Sequence, residues 1–348
     1  MKYTISVILT LLILSSCGKS EKKPQFSSVV VKTIYEDSLS IRAIEIMAGS
    51  LAFAANNGKF GAVDLKTDQV RTSEQKYDTI LPEFRAVAHT ATDFFMLSVG
   101  NPALLYKTGN QGKMELVYKE EGEGVFYDAM HFWNDREGIA VGDSRAVGSG
   151  GNCLSIIITR NGGNTWRKLD CSSLPRGIEG EGAFAASNTN IATIGDKTWI
   201  ATTSSRIYFS GDKGKTWEVF TTPIVGDEPT EGIYSIDFYD ELLGVAIGGD
   251  YTKPDNTRAN KAITRDGGMT WQLIADGKEP SYKSCIQFVP DSKGQALVAV
   301  GFTGVSFSGD SGVHWKKLSK EPFFTFRFLN DSIAYAAGKG RISKLTFR

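Results

Sequence analysis

From residue 28 to the C-terminus, apolar residues come in short runs separated by clusters of Gly, Asp, Asn and Ser. Short runs bounded by turn residues predict β-strands. One unit shows the grouping most fully: Ala183-Phe-Ala-Ala-Ser187, Ile191-Ala-Thr-Ile-Gly-Asp196, Arg206-Ile-Tyr-Phe-Ser210 and Trp217-Glu-Val-Phe220 predict a four-stranded meander. In most units the second run ends in small residues and Gly, as in Ala140-Val-Gly-Asp143, Ala246-Ile-Gly-Gly-Asp250, Val298-Ala-Val-Gly301 and Tyr335-Ala-Ala-Gly338. Small side chains suit a crowded centre where sheets converge.

Between the third and fourth runs stands a repeated box. Its copies are Thr159-Arg-Asn-Gly-Gly-Asn-Thr-Trp166, Ser210-Gly-Asp-Lys-Gly-Lys-Thr-Trp217, Thr264-Arg-Asp-Gly-Gly-Met-Thr-Trp271 and Ser308-Gly-Asp-Ser-Gly-Val-His-Trp315. The tryptophans are 51, 54 and 44 residues apart, a period that marks stacked supersecondary units. The third position (Asn161, Asp212, Asp266, Asp310) is suited to accept backbone N–H groups two or three residues on and close a turn. The Gly at position five supplies a positive φ. Trp166, Trp217, Trp271 and Trp315 open the return strand as large apolar surfaces whose indole N–H needs a partner. Identical turns in several units suit a scaffold better than one active site, so the boxes read as structural. His314 is the one departure, standing where Thr is expected.

Two degenerate units precede the boxed ones. Phe84-Arg-Ala-Val, Phe95 to Gly100 and Leu104 to Thr108 lead into Thr108-Gly-Asn-Gln-Gly112, a box without its Trp. Before it, Ile41-Arg-Ala-Ile, Leu51 to Ala55 and Phe60 to Asp64 form a unit with no box. The last unit runs from Phe326 to Phe347 with only three strands, and Ser28 to Tyr35 is the strand that completes it by pairing with Ile342 to Phe347. The count is seven, or six or eight if a degenerate unit is miscounted. The expected fold is therefore all-β: a seven-bladed β-propeller of four-stranded antiparallel blades, closed by an N-terminal strand, filling residues 28–348 as one domain.

Composition adds little to the fold and something to the function. Lys+Arg and Asp+Glu are both 39, which argues against nucleic acid, because phosphate binding leans on a basic surface. The N-terminus is separate from the fold. Lys2 precedes the apolar run Ile5 to Leu14, too short to span a bilayer as a helix but suited to a signal peptide over residues 1–16. Leu14-Ser15-Ser16-Cys17 resembles a bacterial lipoprotein signal, which implies lipidation of Cys17 and anchorage to a membrane surface in the cell envelope, facing the periplasm or the exterior. Residues 17–27 then read as the lipidated Cys and a polar tether.

Export makes the other cysteines readable. Cys153 and Cys171 lie symmetrically about Gly162 and are expected to form a cross-strand disulfide, contributing about 3 kcal/mol through loop closure. Cys285 reads as a buried free thiol. No Cys/His spacing resembles a metal site, and no cofactor motif is present.

With the boxes in hand, residues 40–347 resemble an Asp-box (bacterial neuraminidase repeat) propeller. Phe238-Tyr-Asp-Glu-Leu-Leu-Gly-Val-Ala-Ile-Gly followed by the Thr264 to Trp271 box is similar to repeats of the photosystem II stability/assembly factor family. The resemblance implies a propeller; it specifies function weakly, since sialidases, sortilin-like receptors and assembly factors all use such boxes. A sialidase also carries an Arg-Ile/Leu-Pro signature, and none of the ten prolines here follows such a dipeptide.

Function is expected on the face opposite the boxes, where the longer loops lie: Asp143 to Asn152, Asp196 to Ser205 and Asp250 to Asn260. Aligning the units places Arg42, Arg85, Asp128, Glu181 and Tyr234 in a ring at the channel mouth. Two Arg and a Tyr suit a carboxylate such as a peptide C-terminus or an acidic sugar. The alternative is that the arginines pair with Asp128 and Glu181 in a solvated channel. Asp250, Tyr251, Arg258 and Lys261 read as a solvated loop, and His89 and His131 as residues of innermost strands. The expected protein is a monomeric, non-catalytic module binding an envelope protein or glycan, assembly-factor-like; the alternative is a carbohydrate-active enzyme, a glycoside hydrolase or lyase.

Overall fold

In the computed structural model, residues 25–146 and 151–348 are described. The leader, Cys17 and most of the tether lie outside them, as do residues 147–150 of the Asp143 to Asn152 loop. Strands and short 3-10 segments at Asn110–Gly112 and Cys171–Ser173 make up the regular structure, with no α-helix among the described residues.

Every sheet is an antiparallel meander. Five are four-stranded and one is seven-stranded. The large sheet is held together by one long strand, Val29–Met47. Its first part pairs with Lys339–Phe347, from Val29 opposite Phe347 to Ser40 opposite Lys339. Its second part pairs with Ser50–Ala55, from Ile41 opposite Ala55 to Met47 opposite Ser50. This strand therefore joins the first and last units of the ring and covers the edge that Lys339–Phe347 would otherwise leave open. First strands of successive sheets touch in a closed circuit, from Val29–Met47 through Phe84–His89, Tyr127–Phe132, Ile191–Ile194, Glu231–Phe238, Cys285–Phe288 and Thr325–Phe328 back to the start. The molecule is a multi-bladed β-propeller.

The period-2 geometry of strands explains why the runs are apolar at every position. Phe94 and Met96 face the preceding sheet, packing with Ala43, Ala52 and Ala54. Phe95 and Leu97 face the following one, packing with Tyr127, Met130 and Trp166. Each blade is buried on both faces, and each such side chain contributes about 1.5–3 kcal/mol.

The boxes form the predicted turns, with a different bond pattern. The Asp212 carboxylate accepts the N–H groups of Lys215 and Thr216, both at 2.9 Å, so it reaches three and four residues on rather than two or three. Ser210 Oγ accepts the Gly214 N–H at 2.7 Å. Both position four and position five have positive φ, 57° at Lys213 and 77° at Gly214. The indole of Trp217 donates to the Gly214 carbonyl at 3.2 Å, and Trp166, Trp271 and Trp315 donate to Gly163, Gly268 and Gly312 in the same way. His314 substitutes for Thr chemically: its Nδ1 lies 2.6 Å from Asp310 Oδ2, where Thr216 places a hydroxyl 2.7 Å from Asp212 Oδ2.

The unit containing Ala183 differs from its expected strands. Ala183 to Ser187 is not a strand; the first strand is Ile191–Ile194 and the second Lys197–Ala201. Gly195-Asp196 is a two-residue hairpin turn between Ile194 and Lys197, not the end of a second strand. Cys153 and Cys171 are disulfide-bonded, with Cα atoms 5.7 Å apart. Cys171 sits in the 3-10 segment after the return strand, which ends at Lys168, so the bridge is not a cross-strand pair. Cys285 is a buried free thiol.

Candidate functional site

At the start of the innermost strands a single irregularity recurs. Ile41 lies opposite Ala55 and Ala43 opposite Ala54, leaving Arg42 as an extra residue. Phe84 and Ala86 lie opposite Ser98 and Leu97, leaving Arg85. Tyr127 and Ala129 lie opposite Gly142 and Val141, leaving Asp128. Ile233 and Ser235 lie opposite Gly248 and Ile247, leaving Tyr234. Phe324 follows suit, its N–H bonding the Ala337 carbonyl although Thr325 is the partner of Ala337. A β-bulge re-aims the side chain it carries, and here it does so at one level of several blades. The bulges also explain two of the glycines closing the second strands. A Cβ on Gly142 would collide with the Phe126 carbonyl, and one on Gly248 with that of Gly232.

Arg42, Arg85 and Tyr234 converge on one cavity of about 340 Å³, which also takes Phe184, Tyr251, Tyr282, Phe302 and Phe324 into its wall. The aromatic rings hold one another in place. Phe184 stacks on Tyr234 at 3.7 Å and 5°, Tyr282 meets Tyr234 edge-on at 4.8 Å, and Phe302 lies 5.0 Å from Tyr282. The Arg42 guanidinium lies 4.1 Å over Phe324, and its buried Nε has no hydrogen-bond partner among the described residues. Burial, then the neighbouring Arg85 charge, lowers the pKa of Arg42. Arg85 is bound by Glu83, with Nε at 2.8 Å and a terminal nitrogen at 2.6 Å. Tyr234 turns its hydroxyl away to the Thr230 carbonyl at 2.8 Å, so it presents its ring.

The other two ring residues are elsewhere. Glu181 belongs to the crossing before Ile191–Ile194, not to an innermost strand. It is fully buried and ion-paired with Arg206, with further bonds from Thr202 Oγ1 at 2.8 Å and the Tyr208 hydroxyl at 3.0 Å. Asp128 is buried, and among the described residues no alcohol hydroxyl or side-chain N–H bonds its oxygens. Neither arginine forms a salt bridge with Asp128 or Glu181 among the described residues. Asp143, which was not singled out from sequence, faces Asp128. Burial raises Asp128 well above the ordinary carboxylate range and pushes Asp143 up to about 6.

The channel beneath the cavity is closed. Residues 187–190 cross its centre and bind the surrounding blades. Ser187 Oγ donates to the Ser284 carbonyl at 2.6 Å, and Asn188 Nδ2 to that of Val87 at 2.7 Å. Asn188 Oδ1 accepts the Met130 N–H at 3.0 Å, Thr189 Oγ1 donates to Ser235 Oγ at 2.8 Å, and Thr325 Oγ1 donates to the Ser187 carbonyl at 2.9 Å. Ala185 and Ala186, just before this plug, line the cavity. The signal in the sequence was the polar run Ser-Asn-Thr-Asn after Ala186, where the neighbouring units continue with apolar residues.

Nor is the Asp250 cluster a solvated loop as a whole. Tyr251 is exposed and reaches the cavity, and Arg258 is exposed. Asp250 is buried and caps Thr252, its Oδ1 accepting the N–H at 2.8 Å and the hydroxyl at 2.6 Å. Lys261 is buried, its ammonium donating to Asn260 Oδ1 and to the carbonyls of Lys278 and Pro280. At the opposite end of the innermost strands, Arg327 pairs with Glu45 at 2.8 Å. His89 and His131 lie on those strands, where burial lowers the pKa of His131.

No protein-family model matches the chain, and no curated sequence matches it. Among solved structures it is similar to one described as YCF48 bound to D1 peptide, with 11% identity, 93% of this chain and 98% of that chain covered, and a TM-score of 0.65. It is also similar to the crystal structure of RRP9 WD40 repeats, with 10% identity, 94% and 99% covered, and a TM-score of 0.65. At such identities the likeness is one of fold, and the fold it shows is the multi-bladed β-propeller.

Proposed function

We propose that this chain is a non-catalytic, seven-bladed propeller that binds a protein partner through a carboxylate, such as a peptide C-terminus, in the arginine cavity. The carrying observation is the pairing of Arg42, which has no carboxylate partner among the described residues, with Arg85 inside an aromatic wall. Burial and the Arg85 charge lower the affinity of Arg42 for protons, and two neighbouring guanidinium groups gain when an anion bridges them. The aromatic rings supply apolar area for the side chain next to that carboxylate.

The blade count rests on dividing the seven-stranded sheet within Val29–Met47. Each half then supplies one strand of a four-stranded blade, two blades beside the five separate sheets. The boxes support membership of the Asp-box repeats. Peptide binding is supported by analogy with the YCF48 structure, whose description includes a D1 peptide. A glycan remains the second ligand class, because stacked Phe184 and Tyr234 also suit a sugar face. Catalysis on that glycan is disfavoured: Asp128 and Asp143 face each other directly, whereas glycosidase carboxyls stand about 5–10 Å apart. Cys17 is proposed as the lipidated residue that holds the propeller at an envelope membrane.

The test is retention of envelope proteins by the soluble form starting after Cys17, compared with Arg42→Ala/Arg85→Ala. A protein retained by wild type and lost from the double variant supports the reading. A protein retained equally by both refutes the cavity as its site, and polysaccharide retention moves the ligand to the glycan class.

A further inference from the structure

Asp128 and Asp143 form an arrangement that the binding reading does not use. Asp128 is the extra residue of its bulge, and Asp143 follows Gly142, the residue opposite Tyr127 on the paired strand. The side chain of Asp128 is fully buried, and the Ala183 N–H is the one backbone donor directed at it among the described residues. A buried carboxylate with so few donors is costly. What faces it is another carboxyl, and two carboxyls in contact are stable only when a proton lies between them. Gly182 packs against the Asp143 carboxyl, leaving no space for even a Cβ there.

The surrounding charges are few. Arg85, from Phe84–His89, faces Asp128, and the Ala183 N–H points to the pair from the crossing. Glu181 is nearby, its carbonyl accepting the Ser144 N–H, but its charge is held by Arg206. Arg85 is thus the cation that senses the pair, and it is also a wall residue of the cavity.

We infer that Asp128 and Asp143 share a proton and set the pH response of the arginine cavity, the charge that appears when the pair ionises competing with an anionic ligand for Arg85. This rests on the carboxylate-binding reading. The sign follows from charge. With both carboxyls protonated, the pair is neutral and Arg85 is held by Glu83 alone. Loss of the first proton to solvent leaves one negative charge beside Arg85, so a carboxylate ligand binds more weakly at higher pH. The first proton is lost near pH 6, where burial has pushed Asp143.

Two measurements on the same soluble protein test it. The first uses N-acetylphenylalanine, ionised throughout, titrated between pH 5 and 7.5. Its affinity is expected to fall by about three- to tenfold over that range, and the fall is expected to vanish in Asp143→Asn. The second needs no ligand: ¹³C carboxyl and Arg85 ¹⁵Nε resonances followed over the same pH range in wild type. One carboxyl is expected to titrate near pH 6 with the Arg85 signal moving alongside it. Both carboxyls titrating below pH 5, or an Arg85 signal that stays still, overturns the inference. If the probe fails to bind while Arg85 follows the carboxyl, the pair stands and the carboxylate-binding reading falls. Binding with a flat pH profile sinks the regulation and leaves the reading intact.

Discussion

Arg42, the extra residue of its bulge, and Phe324, the residue just before the adjacent innermost strand, are stacked with the guanidinium 4.1 Å from the ring centroid. A planar cation held on an aromatic face keeps its edge free for an in-plane partner, which a lysine ammonium cannot reproduce. Arg42→Lys is therefore expected to weaken a carboxylate probe nearly as much as Arg42→Ala, by about tenfold or more. Calorimetric titration with N-acetylphenylalanine checks this, with the uncharged amide of the same compound as control. Equal affinity for acid and amide would show that the arginines do not read the carboxylate.

The plug is the next point of sensitivity. Asn188 has φ 60° and spans two blades, donating to Val87 and accepting from Met130. Asn188→Ala strands both backbone groups and keeps the unfavourable φ, and it is expected to cost about 2–4 kcal/mol. Urea unfolding measures that. Because Ala185 and Ala186 sit just before the plug, probe affinity should fall as well, even though Asn188 does not line the cavity. A loss of stability with unchanged affinity would mean that the cavity wall is independent of the plug.

Box turns give a prediction with a pH sign. Burial alone would raise the Asp212 carboxyl, but hydrogen bonds from Thr216, Ser210 and Lys215 outweigh it and hold it at about 2. A carboxylate depressed in the folded state stabilises the fold above its unfolded pKa of about 4. That contribution disappears as the pH falls from about 4 through 2. Asp212→Asn keeps one acceptor oxygen for the Lys215 and Thr216 N–H groups, as Asn161 does for Thr165. The variant is expected to lose about 1 kcal/mol at pH 7 and little at pH 2, read from urea midpoints at the two pH values.

Much of this architecture was legible because each blade repeats one solution. The box spacing, the missing last strand and the N-terminal donor strand follow from strand length and the need to cover edges. Bulge residues Arg42, Arg85, Asp128 and Tyr234 were found by aligning units, since the extra residue falls at one position in each. Glu181 was misplaced for the same reason: in its unit the plug at 187–190 interrupts the repeat, and alignment assigned Ala183 to Ser187 to the innermost strand that begins only at Ile191. Asp143 and Arg206 were not legible, because their partners lie 15 and 25 residues away on other segments. Such partnerships depend on a bulge in one strand or on the path of a crossing, neither of which the residue pattern prints.

Lys261 supplies the last prediction. Its ammonium is buried and meets only neutral acceptors, Asn260 Oδ1 at 2.7 Å, the Lys278 carbonyl at 2.8 Å and the Pro280 carbonyl at 3.2 Å. Burial pushes its pKa down to about 8. A lysine depressed in the folded state binds fewer protons there than in the unfolded chain, so stability rises as the pH climbs from about 8 toward 10.5. Lys283 is depressed to about 8 by the same cause and adds to the slope. Lys261→Met removes one of the two contributions and should roughly halve the rise, with stability at pH 7 within about 1.5 kcal/mol of wild type. Chemical unfolding at pH 7, 8.5 and 10 distinguishes this from a mere packing defect, which would lower stability equally at every pH.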